Sequence, residues 1–205
     1  MARNLTPIAK VSRREGVALH PKAVKALTRK PYAPGAHGQA RRPKPGDFAT
    51  RLREKQKVKR MYGILEKQFR RYVREAERLQ GVSGENLVQL LERRLDNAIY
   101  RIGLAPSRQG ARQLVTHAHI QLNGKKVDIP SIIVSPGDEI TIRPSSLKNS
   151  YFTKWQADTN TASLTSPSWL SFDAKKMTAK VTGLPIRDEV SEEIAEQLII
   201  EFYSR

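Results

Sequence analysis

RLDNAIYRIGLAPSRQGARQLVTHAHIQLNGKKVDIPSIIVSPGDEITIR spans residues 94–143 and changes its apolar period once. Its first apolar residues recur at helical spacing: Leu95, Ala98, Ile99 and Ile102. Gly103 is typical of the position just past a helix end. Ser107 is a favourable N-cap for a second helix. One face of that helix is apolar, with Ala111, Leu114, Val115 and Ala118. The pattern predicts two short consecutive helices.

After the second helix the pattern alternates as it does in a strand. Ile120 and Leu122 point to one side of the predicted strand, and Asn123-Gly124 follows them. Asn-Gly is the strongest short signal for a two-residue hairpin turn. A last alternating segment runs from Glu139 to Arg143. The unit is therefore predicted to be two helices, a hairpin and a closing strand.

The polar residues of this stretch are mostly basic and are predicted to point outward. They fall between the core positions: Arg94, Arg101, Arg108, Arg112, Lys125 and Lys126. Arg108 and Arg112 are four residues apart and share one helix face. The nearby helix N-terminus also favours phosphate. From these residues alone, a nucleic-acid interface and a merely solvated basic face stay equally open.

These motifs closely resemble the RNA-binding domain named after small-subunit ribosomal protein four. The most specific pieces are Arg94-Leu95-Asp96, Ser107-Arg108, Ala111-Arg112-Gln113-Leu114-Val115, and Asn123-Gly124 with Val127 behind it. The resemblance implies binding to structured RNA. One departure is Gly110, a poor helix former inside the second predicted helix, at a cost of about 1 kcal/mol.

The composition is strongly cationic. The chain has 205 residues, with 37 Lys and Arg against 20 Asp and Glu and a net charge of +17. Such a charge attracts polyanions, with nucleic acid ahead of a membrane surface. We expect no secretory leader and no membrane span, because no apolar run approaches the roughly 18 residues a span needs. Aromatic residues make up only 6%, so phosphate and shape contacts are expected to dominate base stacking.

No metal or cofactor is expected. The chain has no cysteine, which excludes disulfides and thiolate metal sites and fits a reducing compartment. The four histidines are scattered along the sequence and do not form a zinc-binding pattern. The sequence contains no glycine-rich phosphate-binding loop, and it therefore does not indicate a small-molecule nucleotide as substrate.

The predicted fold class is α+β, with three parts. Residues 1–49 are predicted to be a basic extension, rich in proline and glycine, that orders on a polyanion, the alternative being a solvated tail. Residues 50–93 are predicted to be a helical domain, joined by the C-terminal tail 188–205. Residues 94–187 are predicted to be the RNA-binding domain, with its core module at 94–143.

The clearest helix of the helical domain is predicted over residues 64–80. Its apolar stripe is spaced as a core face: Leu65, Phe69, Tyr72, Ala76 and Leu79. Two further helices are expected, over residues 50–61 and 85–93. The Lys and Arg residues of the 50–61 helix are distributed around its whole circumference.

Beyond the core module we expect a short helix over 149–157 and two strands, 169–172 and 177–181. Glu192-Glu193 are expected to begin a helix in the acidic tail, which should pack against the basic helical domain.

Pieces along almost the whole chain resemble bacterial-type ribosomal protein four. They include Ser12-Arg13-Arg14-Glu15-Gly16, Leu52-Arg53-Glu54-Lys55-Gln56-Lys57, Gly84-Glu85-Asn86-Leu87 and Glu201-Phe202-Tyr203-Ser204-Arg205. The resemblance implies a primary binder of small-subunit rRNA that nucleates assembly of the 5′ domain. It also implies contact with ribosomal protein five, an influence on decoding accuracy, and a place beside the mRNA entry site. Location in the small ribosomal subunit of the cytoplasm is implied, with an organellar ribosome left open.

The candidate RNA contacts follow from charge and from the resemblance. The expected rRNA contacts are Arg3, Arg13, Arg14, Arg51, Arg53, Lys55, Lys57, Arg60, Arg70, Arg94, Arg108, Arg112, Gln113, Asn123 and Lys125. The expected mRNA-entry contacts are Arg41, Arg42 and Lys44.

Two alternatives carry the same RNA-binding module. The first is an RNA-modifying enzyme, because Arg94-Leu95-Asp96 could be mistaken for a catalytic-aspartate motif. We expect Asp96 instead to cap or pair locally, and we expect no catalytic residue. The second is an RNA-binding factor that acts off the ribosome.

Overall fold

The computed structural model describes residues 6–40, 44–158, 166–190 and 194–204. Contacts divide the chain into two compact units: residues 1–88 with 192–205 (unit 1), and residues 89–191 (unit 2). The division lies five residues before the predicted boundary at residues 93 and 94. It falls inside a helix that begins in the first unit and ends in the second.

Helices and strands combine as the predicted α+β class requires. The helices are α1 Ile8–Glu15, α2 Val24–Arg29, α3 Asp47–Met61, α4 Glu66–Arg78, α5 Ser83–Glu92, α6 Leu95–Arg101, α7 Arg108–Thr116, α8 Pro144–Leu147, α9 Ser150–Asp158 and α10 Glu196–Tyr203. The strands are β1 Ile120–Leu122, β2 Lys125–Val127, β3 Glu139–Ile142, β4 Leu170–Asp173 and β5 Thr178–Val181. The fold class is confirmed.

Unit 1 is helical, and its N-terminal part holds more structure than the sequence indicated. Within the segment predicted as a basic extension, α1 and α2 form, and Val11 and Ala23 are buried. Glu15 at the end of α1 pairs with Arg53 and Arg60 of α3. Helix α1 is therefore held by partners in α3 that no local sequence pattern indicates.

The apolar stripe of α4 is shorter than predicted. Phe69 and Ala76 are fully buried, but Leu65 and Leu79 are exposed. Both leucines are wrong as core positions because they flank the helix as its N-cap and C-cap, in extended backbone. Val73, which the predicted stripe omitted, is buried in the core of unit 1.

The C-terminal tail packs against α3, as expected. The Ile199 side chain of α10 is fully buried, and the Phe202 ring lies 5.7 Å from that of Phe48. The backbone N–H of Ala195 donates to Glu54 Oε1 at 2.9 Å. The predicted helix start at Glu192-Glu193 lies outside the described residues, and α10 begins at Glu196.

In unit 2 the predicted helix pair forms. The Ser107 hydroxyl accepts a hydrogen bond from the Gly110 N–H at 3.2 Å, which caps α7. Gly110 therefore lies in the first turn of α7, where its N–H serves the cap.

The sheet of unit 2 is five-stranded and antiparallel throughout, in the order β2-β1-β3-β5-β4. Asn123 and Gly124 both have positive φ, 51° and 75°, as a type I′ hairpin turn requires. The Asn123 side chain bridges the turn to β3, donating to Asp138 Oδ1 and accepting from the Glu139 N–H, both at 2.8 Å. The predicted hairpin is confirmed, and its tip is rigid.

Helix α9 closes the turn between α6 and α7. The indole N–H of Trp155 donates to the Gly103 carbonyl at 3.0 Å, and the Tyr151 hydroxyl donates to the Leu104 carbonyl at 2.8 Å. These carbonyls follow a helix end and would otherwise lack intrahelical donors. The buried Phe152 joins the core formed by α6, α7 and the sheet. The helix–turn–helix therefore sits on a well-packed base.

Candidate nucleic-acid interface

A buried ion network underlies the basic surface of unit 2. Asp96 accepts from Arg94 Nε at 3.0 Å and from Arg94 Nη2 at 2.6 Å. The same carboxylate accepts from Arg112 Nη1 at 3.1 Å. Glu92 accepts two hydrogen bonds from the Arg101 guanidinium, both at 2.8 Å. Charged groups removed from water need such partners, so this network is part of the fold.

The prediction that the Arg94 side chain points outward is wrong. Its side chain is completely buried. The Leu95 N–H donates to the Ile132 carbonyl and the Val134 N–H to the Arg93 carbonyl, each at 2.8 Å, so the loop before β3 covers this segment. Arg94 therefore balances the charge of Asp96 inside unit 2.

Three further arginines lie at the edge of this network. Arg108 Nε donates to Asn97 Oδ1 at 2.8 Å, and its guanidinium lies 4.7 Å from the centroid of the Tyr100 ring. The side chains of Arg101 and Arg112 remain 13% and 19% exposed. These cations are held from the inside and still reach the surface, where phosphate could meet them.

The hairpin tip and the outer face of α7 carry exposed polar groups. Lys125, Lys126, Asn123 and Gln113 are all exposed. Because the Asn123 hydrogen bonds fix the turn, the two lysines extend from a rigid support. The structure thus leaves the predicted Gln113, Asn123 and Lys125 accessible.

In unit 1, several basic side chains of α3 are engaged in contacts within the fold and do not simply face solvent. Lys55 is buried, donates to Glu66 Oε1 at 2.9 Å, and lies 4.5 Å from the centroid of the Phe202 ring. Arg51 pairs with Glu201 at 2.7 Å, and Lys57 pairs with Glu54 at 2.8 Å. Lys55 is therefore not a surface cation, and the expected contact of α3 with RNA stays a prediction. Its ammonium group lies between the Glu66 carboxylate of α4 and the Phe202 ring of the docked C-terminal helix.

A basic cleft lies beside α1 in unit 1. Lys10, Arg14 and Arg60 line it together with Thr6, Val11, Pro34 and Gly35. Arg53 and Arg60 are oriented by Glu15, and burial raises the pKa of that carboxyl despite the two guanidiniums. Lys10 is not among the residues that the sequence predicted to contact RNA. Its only signal was its four-residue spacing from Arg14, in a segment for which no helix was predicted.

Arg13, by contrast, has a role within the fold. Its guanidinium donates to the carbonyls of Lys30, Tyr32 and Ala33 at 2.9–3.2 Å, and it lies 4.9 Å from the Tyr32 ring centroid. It thereby ties α1 to the loop after α2.

The outer face of α4 is an exposed basic surface of unit 1. Its solvent side carries Lys67, Arg70, Arg71, Arg74 and Arg78, all exposed. The opposite side is anchored by Phe69, Val73 and Ala76. Arg70 and Arg74 are four residues apart and share a face. The helix therefore presents arginines in a fixed spacing from a rigid core.

Of the predicted RNA contacts, Arg3, Arg41 and Arg42 lie outside the described residues. Lys44, the remaining predicted mRNA-entry residue, is exposed just before α3.

Glu66 gives the fold of unit 1 a pH dependence. Burial raises its pKa, but hydrogen bonds from Lys59, Tyr203 and Lys55 outweigh this and lower it to about 2, from an ordinary value of 4.5. A carboxyl with a depressed folded pKa stabilises the fold above its unfolded pKa, and this contribution is lost as pH falls from about 5 to 2. Because the side chain is 45% exposed, we expect only about 1–2 kcal/mol after solvent screening.

The Glu66→Gln variant should therefore be less stable by that amount at pH 7 and equal to wild type near pH 2. Urea unfolding across this range measures the difference. Glu77→Gln on the exposed face of α4 is the control, and we expect it to stay within about 0.5 kcal/mol of wild type. A Glu66→Gln deficit that does not change with pH would contradict the assignment.

Neither a membrane span nor a metal site is found in the part of the chain that the structure describes. None of its helices combines the length and apolarity needed to cross a bilayer. No three His, Asp or Glu side chains there are grouped closely enough to ligate a metal ion.

Comparison with known proteins assigns the whole length. Residues 3–92 match the ribosomal protein S4/S9 N-terminal domain, and residues 93–140 match the S4 domain. Small ribosomal subunit protein uS4 of Chlorobium phaeovibrioides is 52% identical over 205 residues, which is all of both chains. The chain belongs to the uS4 family. The uS4 proteins of Chlorobaculum tepidum and Halothermothrix orenii are 52% and 49% identical, again over both full lengths.

The uS4 family consists of structural, non-enzymatic proteins, which removes the RNA-modifying enzyme as an alternative. The geometry agrees, because Asp96 is buried and shared between Arg94 and Arg112, and so is not poised to attack a base. The uS4 match also confirms the resemblance on which the RNA-binding expectations rest.

Proposed function

We propose that this chain is a structural component of the small ribosomal subunit that binds its rRNA through phosphate contacts. The observation that carries the proposal is the separation of its cations into two classes. Those that are buried are matched by carboxylates, as Arg94 is by Asp96. Those on the outer face of α4 and at the hairpin tip are exposed on rigid supports. Exposed cations held at fixed positions suit the binding of a polyanion whose phosphates are also at fixed positions.

The chemistry of the exposed groups favours RNA read by shape. Arginine forks onto phosphate oxygens with two parallel hydrogen bonds, and arginine dominates the α4 face. A-form RNA hides its base edges in a deep groove, so recognition rests on backbone geometry and 2′-hydroxyls. The exposed Gln113 and Asn123 provide neutral donors and acceptors suited to 2′-hydroxyls.

The finer roles rest on the family resemblance. They are early binding that nucleates 5′-domain assembly, contact with ribosomal protein five with an effect on decoding accuracy, and contact with mRNA at the entry site. For the last of these, the exposure of Lys44 is the supporting feature among the described residues.

The α4 face provides the sharpest test of RNA binding. Arg70→Gln with Arg74→Gln removes two exposed charges and leaves the core side of α4 untouched. Binding of the full chain to a transcript of the small-subunit 5′ domain is measured as a function of salt. Affinity should fall, and the slope of log affinity against log salt should flatten by roughly 0.7–0.9 per lost phosphate contact.

Lys175→Gln with Lys176→Gln is the matched control. It removes the same charge from the exposed turn between β4 and β5, outside the proposed contacts. If the two double variants lose affinity equally, the binding is non-specific electrostatic attraction. If wild type itself does not prefer the cognate transcript over bulk duplex RNA, the proposal is wrong.

A further inference from the structure

Three side chains beneath the basic surface of unit 2 each hold an arginine. The Glu92 side chain is 1% exposed and accepts from both Nε and Nη2 of Arg101 at 2.8 Å. Asn97 is also buried, and its Oδ1 accepts from Arg108 Nε at 2.8 Å. The Tyr100 ring lies under the Arg108 guanidinium at 4.7 Å. Asn97 Nδ2 donates to Glu92 Oε2 at 2.9 Å, so the two arginines share one support.

Stability alone gives little reason for such a support. Removing charged groups from water is costly, and replacing a buried ion pair by well-packed apolar residues is often neutral or stabilising. A network that positions arginines at a surface has a different benefit. A free arginine loses much rotamer freedom when it binds a ligand, and that loss is avoided when the guanidinium is already oriented.

We propose that Glu92, Asn97 and Tyr100 are positioning residues for RNA binding, which orient Arg101 and Arg108 toward the phosphodiester backbone. The inference rests on the proposed function and adds to it: residues that do not touch RNA determine how tightly it binds. Glu92 is the decisive member, because it is negatively charged and lies beneath a surface that attracts a polyanion.

Glu92→Gln separates positioning from simple electrostatics by the sign of its effect. The substitution makes the chain more positive by one charge, so electrostatics alone would tighten RNA binding. Positioning predicts the opposite, because a glutamine amide cannot accept both Arg101 hydrogen bonds. Affinity of the full chain for the small-subunit 5′-domain transcript should fall about two- to tenfold, the equivalent of ordering one arginine on binding. The salt slope should stay unchanged, since Arg101 keeps its charge.

A double-mutant cycle tests whether Glu92 acts through Arg101. In an Arg101→Ala background the loss caused by Glu92→Gln should become smaller, with only the part transmitted through Asn97 to Arg108 remaining. Arg101→Ala alone should lower both the affinity and the salt slope. Affinity of folded Glu92→Gln equal to or tighter than wild type would overturn the proposal. A loss of the same size in both backgrounds would also overturn it.

A second arm applies if Glu92→Gln does not fold. Tyr100→Leu keeps apolar packing against the core and removes the ring beneath Arg108, whereas Tyr100→Phe keeps the ring. The leucine variant should bind RNA about two- to tenfold more weakly, and the phenylalanine variant should bind as wild type does. Equal affinity of both variants and wild type overturns the proposal. In either arm, a wild-type chain without preference for its cognate transcript refutes the proposed function instead.

Discussion

Replacing Asp96 by alanine should lower the free energy of unfolding by about 3–5 kcal/mol, the cost of breaking a buried ion pair from one side. The Arg94 side chain is fully buried, and Asp96 accepts two of its hydrogen bonds. Without Asp96, a guanidinium that cannot lose its proton remains in the core without its carboxylate. Arg112 loses the same carboxylate, at 3.1 Å.

Urea unfolding followed by circular dichroism measures this effect. Asp128→Ala is the matched control, since Asp128 is exposed in the loop after β2 and its loss should change stability by less than about 0.5 kcal/mol. The double variant Arg94→Met with Asp96→Ala should regain part of the loss, because it removes the buried charge. If Asp96→Ala is no more harmful than Asp128→Ala, the pair does not stabilise the fold.

Replacing Ile199 by alanine should cost about 2–5 kcal/mol, and removing the chain from Glu196 onward should cost more. The Ile199 side chain is completely buried where α10 packs against α3, so its truncation leaves a cavity as well as losing apolar burial. The truncation also removes Phe202 and Tyr203, whose rings flank the buried ammonium group of Lys55 at 4.5 and 5.6 Å. That charge would lose its aromatic surroundings and part of its shelter from water.

Thermal melts of wild type, Ile199→Ala and the truncated chain test this packing. Glu201→Ala is the control on the same helix. This substitution removes the ion pair between Glu201 and Arg51. The Glu201 side chain is half exposed, and such pairs contribute about 0.2–1 kcal/mol to the free energy of unfolding. If the truncated chain has the same melting temperature as wild type, α10 does not contribute to the stability of unit 1.

Local patterns predicted most of unit 2. The change of apolar period, the Ser107 cap and the Asn123-Gly124 turn each act within a few residues, so a single sequence contains them in full. The two strands after α9 were predicted for the same reason. In the turn that joins them, Asp173 Oδ1 accepts from the backbone N–H groups of Lys175 and Lys176. The N-terminal helix α1 escaped prediction because its last residue, Glu15, pairs with Arg53 and Arg60 of α3, which are distant in sequence.

The sequence predicted a basic surface for RNA, but it did not predict which individual basic residues form that surface. A net charge of +17 and the family motifs pointed to RNA, and the uS4 match supports that interpretation. Charge alone could not distinguish a cation that balances a buried carboxylate from one that faces solvent. Arg94 and Lys55 were assigned to RNA on the same grounds as Arg70, although the structure buries the first two.

The sequence by itself determined most elements of unit 2, the family of this protein and the sign of its surface charge, because periodicity, capping, turn chemistry and net charge are local or additive properties. Only the tertiary structure decided which arginines are structural and which remain available. That division depends on which carboxylate lies opposite each guanidinium. Pairs such as Arg51 with Glu201 bring together residues that are 150 positions apart in sequence, and no local pattern encodes them.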